Sequence, residues 1–311
     1  MENNKKDKIK QFDAIIYHGP CPDGTGGLWS ACYYKPIEIR YACKAGVNPI
    51  DDYTGMNVIF VDICPTLDYL LNLVKKAKYV VILDHHKSSE RMILDNTSKL
   101  SEISNLHIEF DMKRSGCQIA WDYFFDNIQR PFFIDYIADR DLWTWKLPHS
   151  KEINSAFFEL GYIDSYDLTK LTNLLDDSDK KKSELELLGK TIEMINNKQI
   201  NIGVSNAIEA KMKWNDKDYR IWLAGNVNPS LNSELGNSLC SKHFKDNTLP
   251  DFAAVWKYDV KSNEWWISLR GIESRSPDLS VLSSSYGGGG HPMASGITIK
   301  SINGLKEIFI Y

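Results

Sequence analysis

Apolar residues in the first half of the chain come in short unbroken runs: Ala14-Ile15-Ile16-Tyr17, Val58-Ile59-Phe60-Val61 and Tyr79-Val80-Val81-Ile82-Leu83. Runs of this length, rich in β-branched residues and bounded by polar joints, predict strands buried on both faces. Helical patterns alternate with them, from Leu67 to Lys76, from Ser115 to Phe125 and onward from near Phe132. The alternation is that of βαβ units around a parallel sheet and predicts an α/β domain over residues 10–175, its sheet flanked by helices. A charged stretch, Asp176-Asp177-Ser178-Asp179-Lys180-Lys181-Lys182, then leads into a helical run from Glu184 to about Asn197. Acids near its start suit the helix dipole, and residues 176–205 read as a helical linker. Strand-like segments dominate afterwards, at Tyr219 to Ala224, Phe252 to Tyr258, Trp265 to Leu269 and Ile297 to Ile299, with a helix-cap pattern at Asn232-Ser233-Glu234-Leu235-Gly236-Asn237. They predict a second, smaller α/β domain over residues 206–311.

Open α/β sheets place ligand sites at the carboxyl ends of their strands, and the predicted strands of the first domain end in ligand-capable residues. The first runs into His18-Gly19-Pro20-Cys21-Pro22-Asp23-Gly24, where glycine and proline force a tight turn that gathers His18, Cys21 and Asp23. The second ends at Asp62 and the third at Asp84-His85-His86, while Ala138-Asp139-Arg140-Asp141-Leu142-Trp143 follows the helical stretch begun near Phe132. Each carboxylate taken singly has a structural alternative: Asp23 and Asp62 as helix caps, Asp139 as a partner of Arg140 or Arg114. As a set they do not, because four carboxylates without a matching run of Lys or Arg repel one another in a closed cleft unless a cation joins them.

These motifs resemble those of the DHH phosphoesterase family, which includes RecJ-like exonucleases, small-oligonucleotide hydrolases and polyphosphatases. A second motif far downstream, Gly287-Gly288-Gly289-Gly290-His291-Pro292-Met293-Ala294-Ser295-Gly296, is similar to the glycine-rich signature of the family's DHH-associated C-terminal domain. The resemblance covers nearly the whole chain. It implies a two-metal phosphodiesterase or phosphohydrolase using Mn²⁺ or Mg²⁺, with one ion held by His18, Cys21 and Asp62 and the other by Asp23, Asp62, His85 and Asp139, Asp141 standing open as the alternative to Asp139. Asp84 would orient a neighbouring histidine and His86 would face the scissile phosphate. Arg270, in Ser268-Leu269-Arg270, together with Gly288, Gly289, Gly290 and His291, would bind substrate phosphate. The chain departs from the pattern at Cys21, where most members carry a carboxylate, and the spacing from His18 to Asp23 is one residue shorter than in many relatives. A thiol is a softer donor than Mg²⁺ or Mn²⁺ prefers, so direct ligation and simple packing stand equally open for Cys21.

Composition narrows the substrate. The 311 residues are enough for two domains, and 43% hydrophobic with 25% charged residues is ordinary globular usage. The net charge is −4, with a pI near 6.0 and Lys interspersed with Asp and Glu. That argues against long duplex nucleic acid and for a short oligonucleotide or nucleotide held at a few points. Trp143, Trp145, Trp265 and Trp266 lie near the motifs as candidates for base stacking, although rings of this size more often build cores. The polar start, Met1 to Lys8, lacks the apolar segment of a signal peptide, and no apolar run is long enough to span a membrane. Six cysteines without a C-x-x-C pair fit reduced thiols, so a cytoplasmic, membrane-free protein is expected. Monomer and homodimer are equally open. The expected activity is that of an exonuclease on short oligonucleotides. Polyphosphatase, pyrophosphatase or nucleotide phosphatase activity and a degenerate, non-catalytic binding or scaffold role are the alternatives.

Overall fold

The computed structural model describes residues 9–44, 46–126, 128–164, 166–225, 228–300 and 304–311. The polar stretch Met1 to Lys8 thus lies outside the described residues. Two compact units divide the chain, Met1–Glu193 and Met194–Tyr311.

The first unit is built on β1 (Ala14–His18), β2 (Ile39–Cys43), β3 (Asn57–Val61), β4 (Tyr79–Asp84) and β5 (Leu106–Phe110). They form one sheet in the order β2-β1-β3-β4-β5, every pairing parallel. Its helices are α1 (Pro22–Tyr34), α2 (Leu67–Leu73), α3 (Lys87–Asp95), α4 (Thr97–Leu100), α5 (Gly116–Phe125), α6 (Phe132–Asp141), α7 (Ser150–Glu159) and α8 (Thr169–Asn173). The unbroken apolar runs have their cause in the two cores. Ile15, Tyr17, Ile59, Val61, Val81 and Leu83 pack into one cluster, and Ala14, Ile16, Val58, Phe60, Val80 and Ile82 into another. Alternate residues of each central strand are therefore covered on opposite faces, and neither face admits a polar side chain. Strands β2 and β5 escape the sequence reading because they are the sheet's edges: β2 is mostly exposed and β5 only half-buried, so neither needs a continuous apolar run.

The register positions the chemistry. Tyr17 pairs with Val61 and Val61 with Leu83, so the next residues, His18, Asp62 and Asp84, leave the sheet side by side. After β1 the chain crosses to β2 on one side, whereas β3, β4 and β5 build outward on the other, which puts the switch of direction between β1 and β3.

Helix α9 (Ser178–Ser205) carries the chain across the unit boundary. The second unit then adds β6 (Ile208–Trp214), β7 (Lys217–Gly225), α10 (Asn232–Cys240), β8 (Phe252–Asp259), β9 (Glu264–Gly271), α11 (Leu279–Ser284), β10 (Gly289–His291), β11 (Ala294–Ile299) and β12 (Phe309–Ile310). Its seven-stranded sheet runs β10-β11-β9-β8-β7-β6-β12; only β7 and β8 pair parallel, and the rest pair antiparallel. The glycine run is an ordered part of this sheet. Gly289 pairs with Gly296 and His291 with Ala294, so Pro292 and Met293 make the hairpin turn. Gly288 has a packing reason to be glycine, since a Cβ there would lie 2.0 Å from the Gly296 carbonyl oxygen. Among the described residues no helix is long and apolar enough to cross a membrane.

Candidate metal centre

Four segments meet at the carboxyl edge of the first sheet. His18 ends β1, and Pro22 starts α1 one residue after its N-cap Cys21, which places Asp23 in the buried first turn. Asp62 follows β3 with φ of 59°, a left-handed state that a β-carbon disfavours and that functional sites collect. Its own N–H donates to the Leu83 carbonyl at 2.8 Å, extending the β3–β4 ladder and holding that conformation. Asp84 closes β4, His85 follows it, and His86 is the N-cap of α3. Asp23, Asp62, Asp84 and His85 are almost wholly buried.

Asp62 is the hub. Its Oδ2 lies 3.3 Å from His18 Nδ1, and its Oδ1 lies 3.1 Å from His85 Nε2. His85 Nε2 is also 3.4 Å from Asp23 Oδ2 and 3.5 Å from Asp141 Oδ2. Asp84 Oδ1 accepts hydrogen bonds from the His85 N–H at 2.8 Å and from His86 Nδ1 at 2.7 Å. Among the described residues the other Asp84 oxygen, Oδ2, is buried without a hydrogen-bond partner. Within the first unit, among the described residues, three groups have donor atoms within 4.8 Å of one another: His18, Cys21 and Asp62; Asp23, His85 and Asp141; Asp62, Asp84 and His86.

The electrostatics of the bare centre are those of crowded acids. Burial, then Asp62 and Asp141, pushes the Asp23 carboxyl up to about 7. Asp141 is raised as well, by burial and by Asp62, although His85 pulls the other way. Burial opposes ionisation of Asp62 too, but the hydrogen bonds of His18 and His85 outweigh it and hold this carboxyl well below the usual range. Burial also opposes a charged His18 and a charged His85; Cys21 and Asp62 raise the first, and Asp62, Asp141 and Asp23 raise the second. Asp84 stays below the ordinary value because His86 overcomes its burial. Burial and Asp62 lift the Cys21 thiol despite His18. The bare cluster therefore neutralises itself with protons at Asp23, His18 and His85, and a divalent cation can take their place. Carboxylate oxygens with imidazoles are donors for a divalent cation, and the orphaned oxygen of Asp84 and the three tight donor groups of the first unit fit such an ion.

Among the residues expected from sequence, His18, Cys21, Asp23, Asp62, Asp84, His85 and His86 come together here. Asp139, expected as a ligand, does not join them. Its Oδ1 accepts from Lys146 N at 2.9 Å and from the Thr144 hydroxyl, and its Oδ2 from Leu147 N at 3.1 Å. Those bonds spend the carboxylate on the turn after α6. Asp141 takes the expected place beside Asp23 and His85. The two acids stand two residues apart on one helix, roughly 200° around its axis, so only one can face the sheet edge. Sequence reasoning also missed the main chain of α5: the Gly116 and Cys117 N–H groups donate to Asp23 Oδ2 at 2.5 Å and Oδ1 at 2.9 Å. The Ser115 capping box marked this helix start, but nothing local pointed it at Asp23.

The expected substrate-binding residues lie in the second unit. Arg270, on β9, donates to the Ser233 hydroxyl at 2.6 Å and to the Leu269 carbonyl at 2.8 Å. Gly289, Gly290 and His291 form β10, directly after Gly288.

No family model matches the chain. The chain is 29% identical over 332 aligned residues to an uncharacterized protein of Acanthamoeba polyphaga mimivirus, covering 94% of this chain and 69% of that protein. Among solved structures, the pGpG-specific phosphodiesterase PggH from Vibrio cholerae aligns with a TM-score of 0.42 at 13% identity, covering 93% of this chain and 94% of that one. With the oligoribonuclease NrnB of Bacillus subtilis it shares 25% identity over 326 aligned residues, 92% of this chain and 72% of the enzyme, so the similarity runs through the unit that holds the clustered acids and histidines and on into the second.

Proposed function

We propose that the chain is a DHH-type phosphoesterase that hydrolyses phosphodiester bonds of short oligonucleotides, as an exonuclease using two divalent cations, Mn²⁺ or Mg²⁺. The observation that carries this reading is the division of Asp62, whose two oxygens turn to different histidines, Oδ2 to His18 and Oδ1 to His85. A shared carboxylate suits a pair of cations, with His18, Cys21 and Asp62 on one side and Asp23, His85, Asp141 and Asp62 on the other. Two such ions supply a polarised phosphoryl oxygen, a more acidic water and a stabilised leaving oxygen.

The chain's own residues orient and hold. Asp84 Oδ1 lies 2.7 Å from His86 Nδ1 and so orients the ring that would face the substrate phosphate. The Gly116 and Cys117 N–H groups keep Asp23 turned toward His85. Arg270 and His291 would provide charge-assisted donors for the rest of an anionic substrate, beside Gly289 and Gly290, whereas the Gly288 N–H is given to the Ser283 carbonyl at 2.8 Å. A net charge of −4, with lysines interspersed among acids, suits a short ligand, and the similarity to an oligoribonuclease supports RNA as its chemistry.

One panel tests the reading. Purified protein is incubated with RNA and DNA dinucleotides and short oligomers, a cyclic dinucleotide, 3′-phosphoadenosine 5′-phosphate, pyrophosphate and polyphosphate, each with Mn²⁺, Mg²⁺ or chelator. Mononucleotide release from the short oligomers with metal, and none with chelator, is the expected result. Turnover confined to pyrophosphate or polyphosphate, or no turnover at all, overturns it.

A further inference from the structure

Just past the metal centre the chain holds two tryptophans in a backbone state that bulky residues avoid. Trp143 and Trp145 have φ of 55° and 50°, and they follow Asp141, the last residue of α6, at its second and fourth neighbours. Asp139 maintains the turn. Besides the bonds its carboxylate takes from Thr144, Lys146 and Leu147, its carbonyl accepts the Thr144 N–H at 2.9 Å. A buried carboxylate and the strain of two left-handed residues are thus committed to presenting this segment.

Packing does not account for the commitment. Both rings are only half-buried. Among the described residues the apolar clusters take in Trp29, Trp121, Trp214, Trp222, Trp256 and Trp265, but neither Trp143 nor Trp145. The two rings meet each other instead, with centroids 4.9 Å apart and planes at 75°, and the Lys151 ammonium sits 5.6 Å from the Trp145 centroid. Partly open indole rings beside a cation, within a few residues of a carboxylate of the metal centre, match the chemistry of a nucleobase attached to a phosphate.

We propose that Trp143 and Trp145 form a stacking platform for a nucleobase of the substrate, next to the centre that engages its phosphate. The proposal rests on the phosphoesterase reading and deepens it: the substrate must carry a base, and because every base has a π-face, its identity matters little.

The test compares an RNA dinucleotide with the same molecule bearing an abasic sugar at one position, using the full chain with Mn²⁺. The wild type is expected to prefer the dinucleotide in kcat/KM, and W143A and W145A to shrink that preference about fivefold to a hundredfold. Should an alanine variant fail to fold, Trp→Phe and Trp→Leu at each position decide: phenylalanine keeps the preference and leucine, which lacks a π-face, loses it. A wild type that cleaves both substrates equally well, or leucine and alanine variants with an undiminished preference, overturns the platform and leaves the phosphoesterase reading standing. A wild type that cleaves neither substrate overturns the reading itself, and the platform with it.

Discussion

The Gly116 N–H donates to Asp23 Oδ2 at 2.5 Å, and the same glycine stands so close to Asp62 that a Cβ on it would lie 2.5 Å from the Asp62 Cβ. The start of α5 thus grips one carboxylate of the centre while pressing against another. Gly116→Ala has to displace the helix or Asp62, and overpacking of this kind costs about 1–3 kcal/mol. Thermal unfolding should show that loss, and calorimetric titration with Mn²⁺ should show weaker binding. Unchanged affinity would mean that the grip on Asp23 does not shape the cation site.

Asp62→Asn removes the charge shared by both donor groups. Turnover of a short oligonucleotide should fall on the order of a thousandfold or more, since several kcal/mol of transition-state stabilisation leave with one anionic bridge. The metal-free chain should also lose some stability, because the carboxylate that His18 and His85 hold ionised is gone, so turnover is compared on protein shown to be folded. Steady-state kinetics in Mn²⁺ decide the matter, and near-wild-type turnover would sink the two-cation assignment.

Asp139 and Asp141 should separate cleanly. Asp141→Asn is expected to weaken Mn²⁺ binding with the melting temperature kept, because its carboxylate lies beside Asp23 and His85. Asp139→Ala strands the N–H groups of Lys146 and Leu147 and should cost about 1–3 kcal/mol of stability. If Asp139→Ala abolished metal binding in a folded protein, the assignments would be reversed.

The bare centre sets a pH dependence with a definite sign. Asp23, raised to about 7, and Asp141, raised by burial, favour the folded state when protonated, so their stabilisation fades as pH climbs from the ordinary carboxylate range. His18 and His85, also raised, stabilise fully below 6.5 and lose that effect as pH rises through their folded values. Asp62 and Asp84 are depressed, and their contribution is already complete above 3.8. Metal-free protein should therefore melt lower at pH 8 than at pH 5.5. Mn²⁺ affinity should run the other way, rising at least about tenfold per pH unit below 7 as protons are displaced. Titrations in buffers of different ionisation enthalpy count those protons.

Cys21 offers a test of metal choice. Its thiol belongs to the group with His18 and Asp62, and Cys21→Asp would substitute an oxygen donor. Turnover with Mg²⁺ should rise relative to Mn²⁺, because Mg²⁺ demands oxygen ligands. An unchanged preference with a lower melting temperature would mean that the thiol only packs.

Much of this molecule is legible along its length. The unbroken apolar runs foretold β1, β3 and β4, since a strand covered on both faces has no place for a polar side chain. Covalent continuity did the rest locally: whatever follows a buried parallel strand emerges at the sheet edge, so His18, Asp62 and Asp84-His85-His86 were marked as site residues by position alone. Long-range packing decided what adjacency cannot carry. Register set Asp62 between His18 and His85, and the rotational phase of α6 turned Asp141 to the cluster and Asp139 to its own loop. Two main-chain donors of α5 were brought onto Asp23 from 93 and 94 residues away. Periodicity records which side of an element is buried, because burial constrains every residue of a run; which neighbour each polar atom meets depends on how separate elements pack, and no local pattern records that.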